Sequence, residues 1–274
     1  MPNFHDRVTT DIQDGLARVR LDRADKHNGM DFEMLRGVID ACASLKRDRS
    51  IRAALIYGEG PSFCAGLDFK TVLAKPLKAA AGYAKLWKPT RNDFQAWSMA
   101  WRELPFPVIA SVHGNCFGAG IQLALGADIR IAAPDAKLSV MESKWGLIPD
   151  MGGAALLREL VPLDVAKELC FTGRVFSGTE AKALGIVTHV EADPLAAAEK
   201  LALEIVTRSP DAIAAAKFLL QQAWHDDESG ALSFERQWQR RLMGRTNQRI
   251  AVKNNMSREG QANPKPYAPR SVSS

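Results

Sequence analysis

The stretch that decides the fold is His113-Gly114-Asn115-Cys116-Phe117-Gly118-Ala119-Gly120-Ile121-Gln122-Leu123-Ala124. It follows Pro107 to Val112, an apolar and β-prone run, and precedes another such run from Ala127 to Ala133. Strand, glycine-bearing turn, short helix and strand are therefore read in that order. The helix is expected to start at Gly118 or Ala119, and its first N–H groups then have no carbonyl partner inside the helix. Small residues in the turn let a ligand come close to the backbone. Two such N–H donors converging on one oxygen form an oxyanion hole.

The same grammar recurs upstream. Ile51 to Tyr57 is a buried-strand run ending at Gly58, and a second small-residue turn follows, Ser62-Phe63-Cys64-Ala65-Gly66-Leu67-Asp68-Phe69. Ala17, Val19 and Leu21 alternate with Arg18 and Arg20, which predicts a strand with one wet face. Asp31 is placed to cap a helix whose Leu35, Val38, Ile39, Cys42 and Leu45 keep helical spacing. Leu138 to Met141 gives a further strand, and the class is α/β. Thr71 to Glu103 breaks the rhythm with Tyr83, Trp87, Phe94, Trp97 and Trp101. The last four fall near one helical face, which suits either a helix packed on the core or an apolar wall over a substrate. Downstream the chain turns helical. Ser177-Gly178-Thr179-Glu180 reads as a capping box, Val187 to Val190 as a short strand, and Pro194 to Arg208 and Pro210 to Trp224 as helices. Leu232 to Met243 and Asn247 to Met256 add helical pieces. The organisation expected is a core over 1–193, a helical region over 194–256 joined without a flexible linker, and a polar tail over 257–274, either an arm or a frayed end.

Composition narrows the function classes. The 274 residues are 46% hydrophobic and 24% charged, which excludes wholesale disorder and fibrous repeats. No apolar run approaches the ~18–20 residues of a membrane span, and the first residues have no signal-peptide character, so a cytoplasmic location is expected. Thirty-six Lys and Arg against 31 Asp and Glu give +5, which favours anionic partners without selecting one. No arginine-rich arm or nucleic-acid motif is present. The four cysteines fit no C-x-x-C spacing and the five histidines no H-x-x-x-H, so no metal site is expected. There is no phosphate loop. The lack of G-x-S-x-G, and of a serine beside either turn's donors, argues against serine hydrolysis.

Taken in order, five segments resemble the crotonase, or enoyl-CoA hydratase/isomerase, superfamily. They are Arg23-Ala24-Asp25-Lys26-His27-Asn28, Phe63 to Asp68, Gly114 to Arg130, Glu142 through Gly146-Leu147-Ile148-Pro149-Asp150-Met151-Gly152-Gly153, and Thr172-Gly173 with Ala181-Leu184-Gly185-Ile186-Val187. The likeness spans about residues 8 to 224. It implies a spiral of ββα units, a C-terminal helical region that trimerises, often into a dimer of trimers, and an acyl-CoA thioester as ligand. Coenzyme A belongs to the substrate, so no separate cofactor is expected. By position, the N–H groups of Leu67 and Ala119 (beside Gly66 and Gly118) hold the thioester oxygen. Ala65, Leu67 and Asp68 line the adenine and pantetheine path, Phe69 and Lys70 lie just beyond, and Lys26 meets the CoA phosphates.

The resemblance also orders the acids. Hydratases of the family set two glutamates around a water. Here the first position holds Gln122 and the second Glu142, and an amide cannot exchange protons as a carboxylate does. Gln122 can instead hold a water or orient a substrate. Glu142 stands where single-base isomerases keep their glutamate. Asp150 stands where dienoyl-CoA isomerases keep a second acid, or caps a helix from Met151. The expected reaction is the shift of a 3-enoyl or 3,5-dienoyl thioester to its conjugated 2-enoyl or 2,4-dienoyl isomer. One alternative is a 2-enoyl-CoA hydratase using Glu142 and a water held by Gln122. The other is a non-catalytic acyl-CoA-binding or RNA-binding protein whose surface would be Arg240, Arg241, Arg245, Arg249, Lys253 and Arg258.

Overall fold

The computed structural model describes residues 1–87, 89–257 and 261–273, without the side chains of Ala79 and Tyr83. Its main sheet has seven strands in the order β1 (Asn3–Phe4), β2 (Val8–Gln13), β3 (Leu16–Leu21), β4 (Ala53–Gly58), β5 (Val108–Val112), β7 (Ile129–Ala132) and β10 (His189–Val190). Strands β1 to β3 are antiparallel, and β3 onward are parallel. Asp14 and Gly15 both take positive φ at the β2–β3 turn, which is the turn that matches strand twist in a two-residue hairpin. The parallel strands need crossovers, and α1 (Phe32–Arg47) is the first. Asp31 caps it by accepting from the Met34 N–H at 2.7 Å, as its sequence position predicts.

Side-chain alternation sends residues to two cores. Ala17, Val19, Leu21, Ala54, Ile56, Val108 and Ala110 face α1 and α4 (Asp93–Met99). Leu16, Leu55, Ile109 and Ile131 face the opposite way, against Ala198 and Ala202 of α9 (Pro194–Val206). Burial on both faces is why β4 and β5 read as continuous apolar runs. Cys42, Cys64 and Cys116 are buried, and loss of solvation pushes each thiol well up, so none is a ready thiolate.

A second layer holds the site. Strands β6 (Asn115–Phe117), β8 (Lys137–Ser139) and β9 (Phe176–Ser177) form a three-stranded sheet. Single bridges extend it, Cys64 to Cys116 and Met30 to Leu67. Glycine is required where the layers meet. A Cβ on Gly114 would lie 1.9 Å from the Pro61 carbonyl oxygen, and one on Gly120 2.1 Å from that of Cys64. Helix α5 (Ala119–Leu125) leaves β6 and is buried throughout. Helix α5 packs against α4 and α6 (Gly153–Leu157), while α2 (Phe69–Leu73) and α3 (Pro76–Ala84) pack on each other and α7 (Leu163–Thr172) packs on the turn Glu142–Trp145. Ser177 caps α8 (Gly178–Ala183) through the Glu180 N–H, but the Glu180 carboxylate pairs with Arg174 rather than completing a capping box.

Beyond α9 come α10 (Pro210–Ala223), α11 (Glu228–Leu242) and α12 (Thr246–Met256). The polar tail is an arm and not a frayed end over its described part. Asp211 accepts from the N–H groups of Ser271 at 2.6 Å and Val272 at 2.9 Å, while Asn247 and Asn254 clasp Ala268 and Lys265. Arg258 lies outside the described residues. Among the described residues no helix is long and apolar enough to cross a membrane.

Candidate active site

The two glycine turns meet, and strand pairing decides which N–H groups they offer. Met30 donates to the Gly66 carbonyl at 2.7 Å and accepts from the Asp68 N–H at 2.9 Å. Alternation along an extended segment then turns the intervening Leu67 N–H to the other side. On that side stands Ala119, first residue of α5. Gly118, at φ +51° and ψ −115°, takes a backbone shape that favours glycine, and its own N–H goes to the Ser139 carbonyl. Neither the Leu67 N–H nor the Ala119 N–H has an acceptor among the described residues. A Cβ on Gly66 would lie 2.8 Å from the Phe117 oxygen and 3.8 Å from the Ala119 nitrogen, so the loops approach this closely only with glycine there. The indole N–H of Trp97 donates to the Ala119 carbonyl at 2.8 Å and braces this residue from behind.

Leu67 and Ala119 both line a cavity of about 500 Å³. Its walls include Met30, Leu73, Phe94, Met141, Leu147 and Met151, with Glu142 and Asp150 as its acids. Phe69 also lines it, stacked on Trp145 with ring centroids 4.4 Å apart. Phe69 therefore belongs to the apolar chamber, while Lys70 lines the neighbouring cleft. Of the aromatic residues expected in the wall, Phe94 is there, and Trp145 joins it. Trp97 and Trp101 are core residues, 0% and 1% exposed, because their indole N–H groups find carbonyls inside the protein. Trp87 is exposed and outside the cavity lining, and the Tyr83 side chain lies outside the described residues.

A second cleft of about 640 Å³ shares Ala65, Gly66 and Leu67 with the first. Lys26, Lys70 and Lys75 line it, so one side of the shared rim is cationic and the other apolar. Lys75 had no signal in the sequence, because only the fold of α2 brings it beside Lys26. Asp68 lines this cleft too, with its carboxylate already engaged. It caps α2 through the Thr71 N–H and hydroxyl and pairs with Arg23 at 2.9 Å. Burial works against its charge, but these partners outweigh burial and hold its carboxyl below the usual range.

Glu142 stands on the 3₁₀ turn after β8, 8% exposed. Its Oε1 accepts from Gln122 Nε2 at 2.5 Å, and its Oε2 is buried without a partner among the described residues. Desolvation pushes this carboxyl up, the nearby Asp150 charge adds to the rise, and the Gln122 hydrogen bond partly offsets it. Burial likewise raises Asp150. Asp150 is not a cap, since α6 begins at Gly153 with Gly152 before it and no side-chain cap. The Gln122 oxygen accepts from the N–H groups of Met151 at 2.9 Å and Gly153 at 3.0 Å, a role that sequence reading did not find. A pair of open N–H donors beside a desolvated carboxylate can stabilise an oxyanion while a proton leaves the adjacent carbon.

These features define an oxyanion site beside a desolvated carboxylate on a two-layer α/β scaffold, and the comparisons give it a family. The model of the enoyl-CoA hydratase/isomerase family matches residues 11–259. The chain is 34% identical over 230 residues to the mitochondrial methylglutaconyl-CoA hydratase of Mus musculus, covering 81% of this chain and 70% of that one. The crystal structure of a putative enoyl-CoA hydratase from Streptomyces coelicolor A3(2) superposes with a TM-score of 0.85 at 30% identity, over 98% of this chain and 96% of that one. One from Thermobifida fusca YX in complex with CoA has a TM-score of 0.78 at 32% identity, over 86% and 93%. The chain belongs to the enoyl-CoA hydratase/isomerase, or crotonase, family.

Proposed function

We propose that this protein binds acyl-CoA thioesters and shifts the double bond of a 3-enoyl or 3,5-dienoyl chain into conjugation with the thioester. The cationic cleft of Lys26, Lys70 and Lys75 suits the phosphates of coenzyme A, and the apolar cavity suits the acyl chain. The observation that carries the reading is Glu142 Oε2, desolvated and unpaired beside two open backbone donors.

Glu142 takes the C2 proton. The C2–H electron pair becomes the C1=C2 bond and the thioester oxygen gains the charge, giving a dienolate held by the Leu67 and Ala119 N–H groups. Each such donor supplies about 3–4 kcal/mol of transition-state stabilisation. As the C1=O bond re-forms, the C1=C2 pair moves to C2=C3 and the C3=C4 pair takes a proton at C4, returned by Glu142; in a 3,5-dienoyl chain the C3=C4 pair moves to C4=C5 instead and the C5=C6 pair takes the proton at C6, delivered by Asp150. No cofactor beyond the coenzyme A of the substrate enters the sequence. The same reading carries a homotrimer or a dimer of trimers, for which the exposed Leu163, Phe171, Leu220 and Trp224 offer apolar surface.

A second reading, hydration of a 2-enoyl thioester, is favoured by the hydratase name of the mouse relative. Against it stands Gln122, whose oxygen is occupied by two backbone N–H groups and is not free to hold a water. Product analysis separates them. Conversion of 3-hexenoyl-CoA to the 2-enoyl isomer supports the proposal, and rapid hydration of crotonyl-CoA with no shift of 3-hexenoyl-CoA overturns it.

A further inference from the structure

Resting on the reading of Glu142 as the base, we propose that Gln122 is a positioning residue that selects Oε2 as the reactive oxygen of Glu142 and fixes it relative to Asp150. The amide has only one orientation that satisfies its neighbours. Two backbone N–H groups, of Met151 and Gly153, converge on one end, so that end is the oxygen and the NH₂ end faces Glu142. Gln122 is 1% exposed, and a Cβ on Gly153 would lie 2.6 Å from its oxygen, so this seat needs glycine.

The consequence for the base is specific. Hydrogen bonding to Nε2 occupies Oε1 and leaves Oε2 as the unpaired atom of the carboxylate. The same amide pins the turn in which Asp150 immediately precedes Met151. Gln122 also lies three residues after Ala119, on the same face of the same helix, so α5 carries both the oxyanion donor and the clamp on the base. Donor, base and second acid are thereby referred to one buried element. Among the described residues, the titratable groups that act on Glu142 or feel its charge are Asp150 across the turn and Cys170 of α7, whose thiol is raised by burial and by the Glu142 charge.

The test compares Gln122→Glu and Gln122→Met in the full chain, with 3-hexenoyl-CoA in deuterated buffer. Product and C2 hydrogen exchange are read by mass, and coenzyme A affinity is measured separately. Gln122→Glu keeps acceptor oxygens for Met151 and Gly153 but sets a carboxyl against Glu142, and two carboxyls so close do not both ionise. For it we expect kcat to fall by about tenfold or more and the acid limb of kcat to rise by about one pH unit or more, with KM within about twofold. Gln122→Met, which removes all three hydrogen bonds, is expected to lower kcat by about a hundredfold at similar KM. Wild-type kcat and acid limb in both variants overturn the proposal. So does a loss of kcat accompanied by an equal loss of coenzyme A affinity in Gln122→Glu, since that makes Gln122 a packing residue only. Should Gln122→Met fail to fold, Gln122→Glu decides alone. Glu142→Gln in the same assay separates the two readings: undiminished exchange there removes the base assignment itself, whatever the Gln122 variants do.

Discussion

At the scale of single residues, Glu142 as the proposed base would set the working range through its protonation. A base must be ionised, and burial, aided by Asp150, lifts this carboxyl above the ordinary glutamate value of 4.5. The acid limb of kcat/KM is therefore expected above pH 4.5 in a pH–rate profile, and a limb at or below that value contradicts the environment described. The linked effect on stability has the opposite sense. A carboxyl whose folded-state pKa is raised favours folding while protonated, and that contribution is lost as pH rises through the folded value. Glu142→Gln is expected to resist denaturant better than the wild type at pH 8, with the gap closing toward pH 4. The candidate residues Glu142, Asp150, Leu67 and Ala119 were proposed from the family resemblance, and the structure brings all four to one cavity. The seat of the Gln122 amide was not legible in the sequence, because it depends on a turn about 30 residues away folding back onto α5. Trp97 and Trp101 show the same limit. Their helical spacing is right, but only packing shows that they brace the core and not the cavity.

At the scale of elements, α2 lines both chambers and α3 lines the apolar one. Lys75 and Lys78 tie them to Glu33 on α1 at 3.1 and 2.9 Å. The Lys78 hydrogen bond, opposed by burial and helped by Lys75, brings the Glu33 carboxyl down to about 2. Because that pKa is depressed, the tie is intact above the ordinary 4.5 and is lost only as pH falls through about 2. Partly exposed pairs contribute little to global stability, so the expected effect is local. Glu33→Gln should speed amide hydrogen exchange across Phe69–Ala84 by about two- to fivefold while leaving β4 and β5 unchanged. Unchanged exchange in α2 and α3 contradicts the tie. Alternation made β3 legible, helical spacing α1, and continuous apolar runs β4, β5 and β7, whereas β1, β2, β6 and β9 were not read as strands. The α2–α3 region was not legible either, since short helices without a continuous apolar face carry little periodic signal.

At the scale of the whole molecule, buried polar clasps join the C-terminal helices to the core. Lys217 of α10 reaches the Trp101 and Phe106 carbonyls, each at 3.0 Å, and Asp128 at 2.8 Å. Burial lowers its pKa while Asp128 holds the charge in place. Lys217→Ala leaves the Trp101 and Phe106 carbonyls and the half-buried Asp128 without this partner, so it is expected to cost about 2–3 kcal/mol in urea denaturation. A loss under about 1 kcal/mol would show that the helices are held by apolar contact instead. The α/β core and the helical C-terminal half were both read from the sequence. The docking of residues 265–272 was hidden by their polarity, since the partners that satisfy them, Asp211, Asn247 and Asn254, lie on helices earlier in the chain.

Turnover of 3-hexenoyl-CoA by Glu142→Gln, with coenzyme A affinity measured alongside, tests the central claim most directly. The account predicts that isomerisation falls by about a thousandfold or more while coenzyme A still binds as in the wild type. Turnover at the wild-type rate in that variant would contradict it.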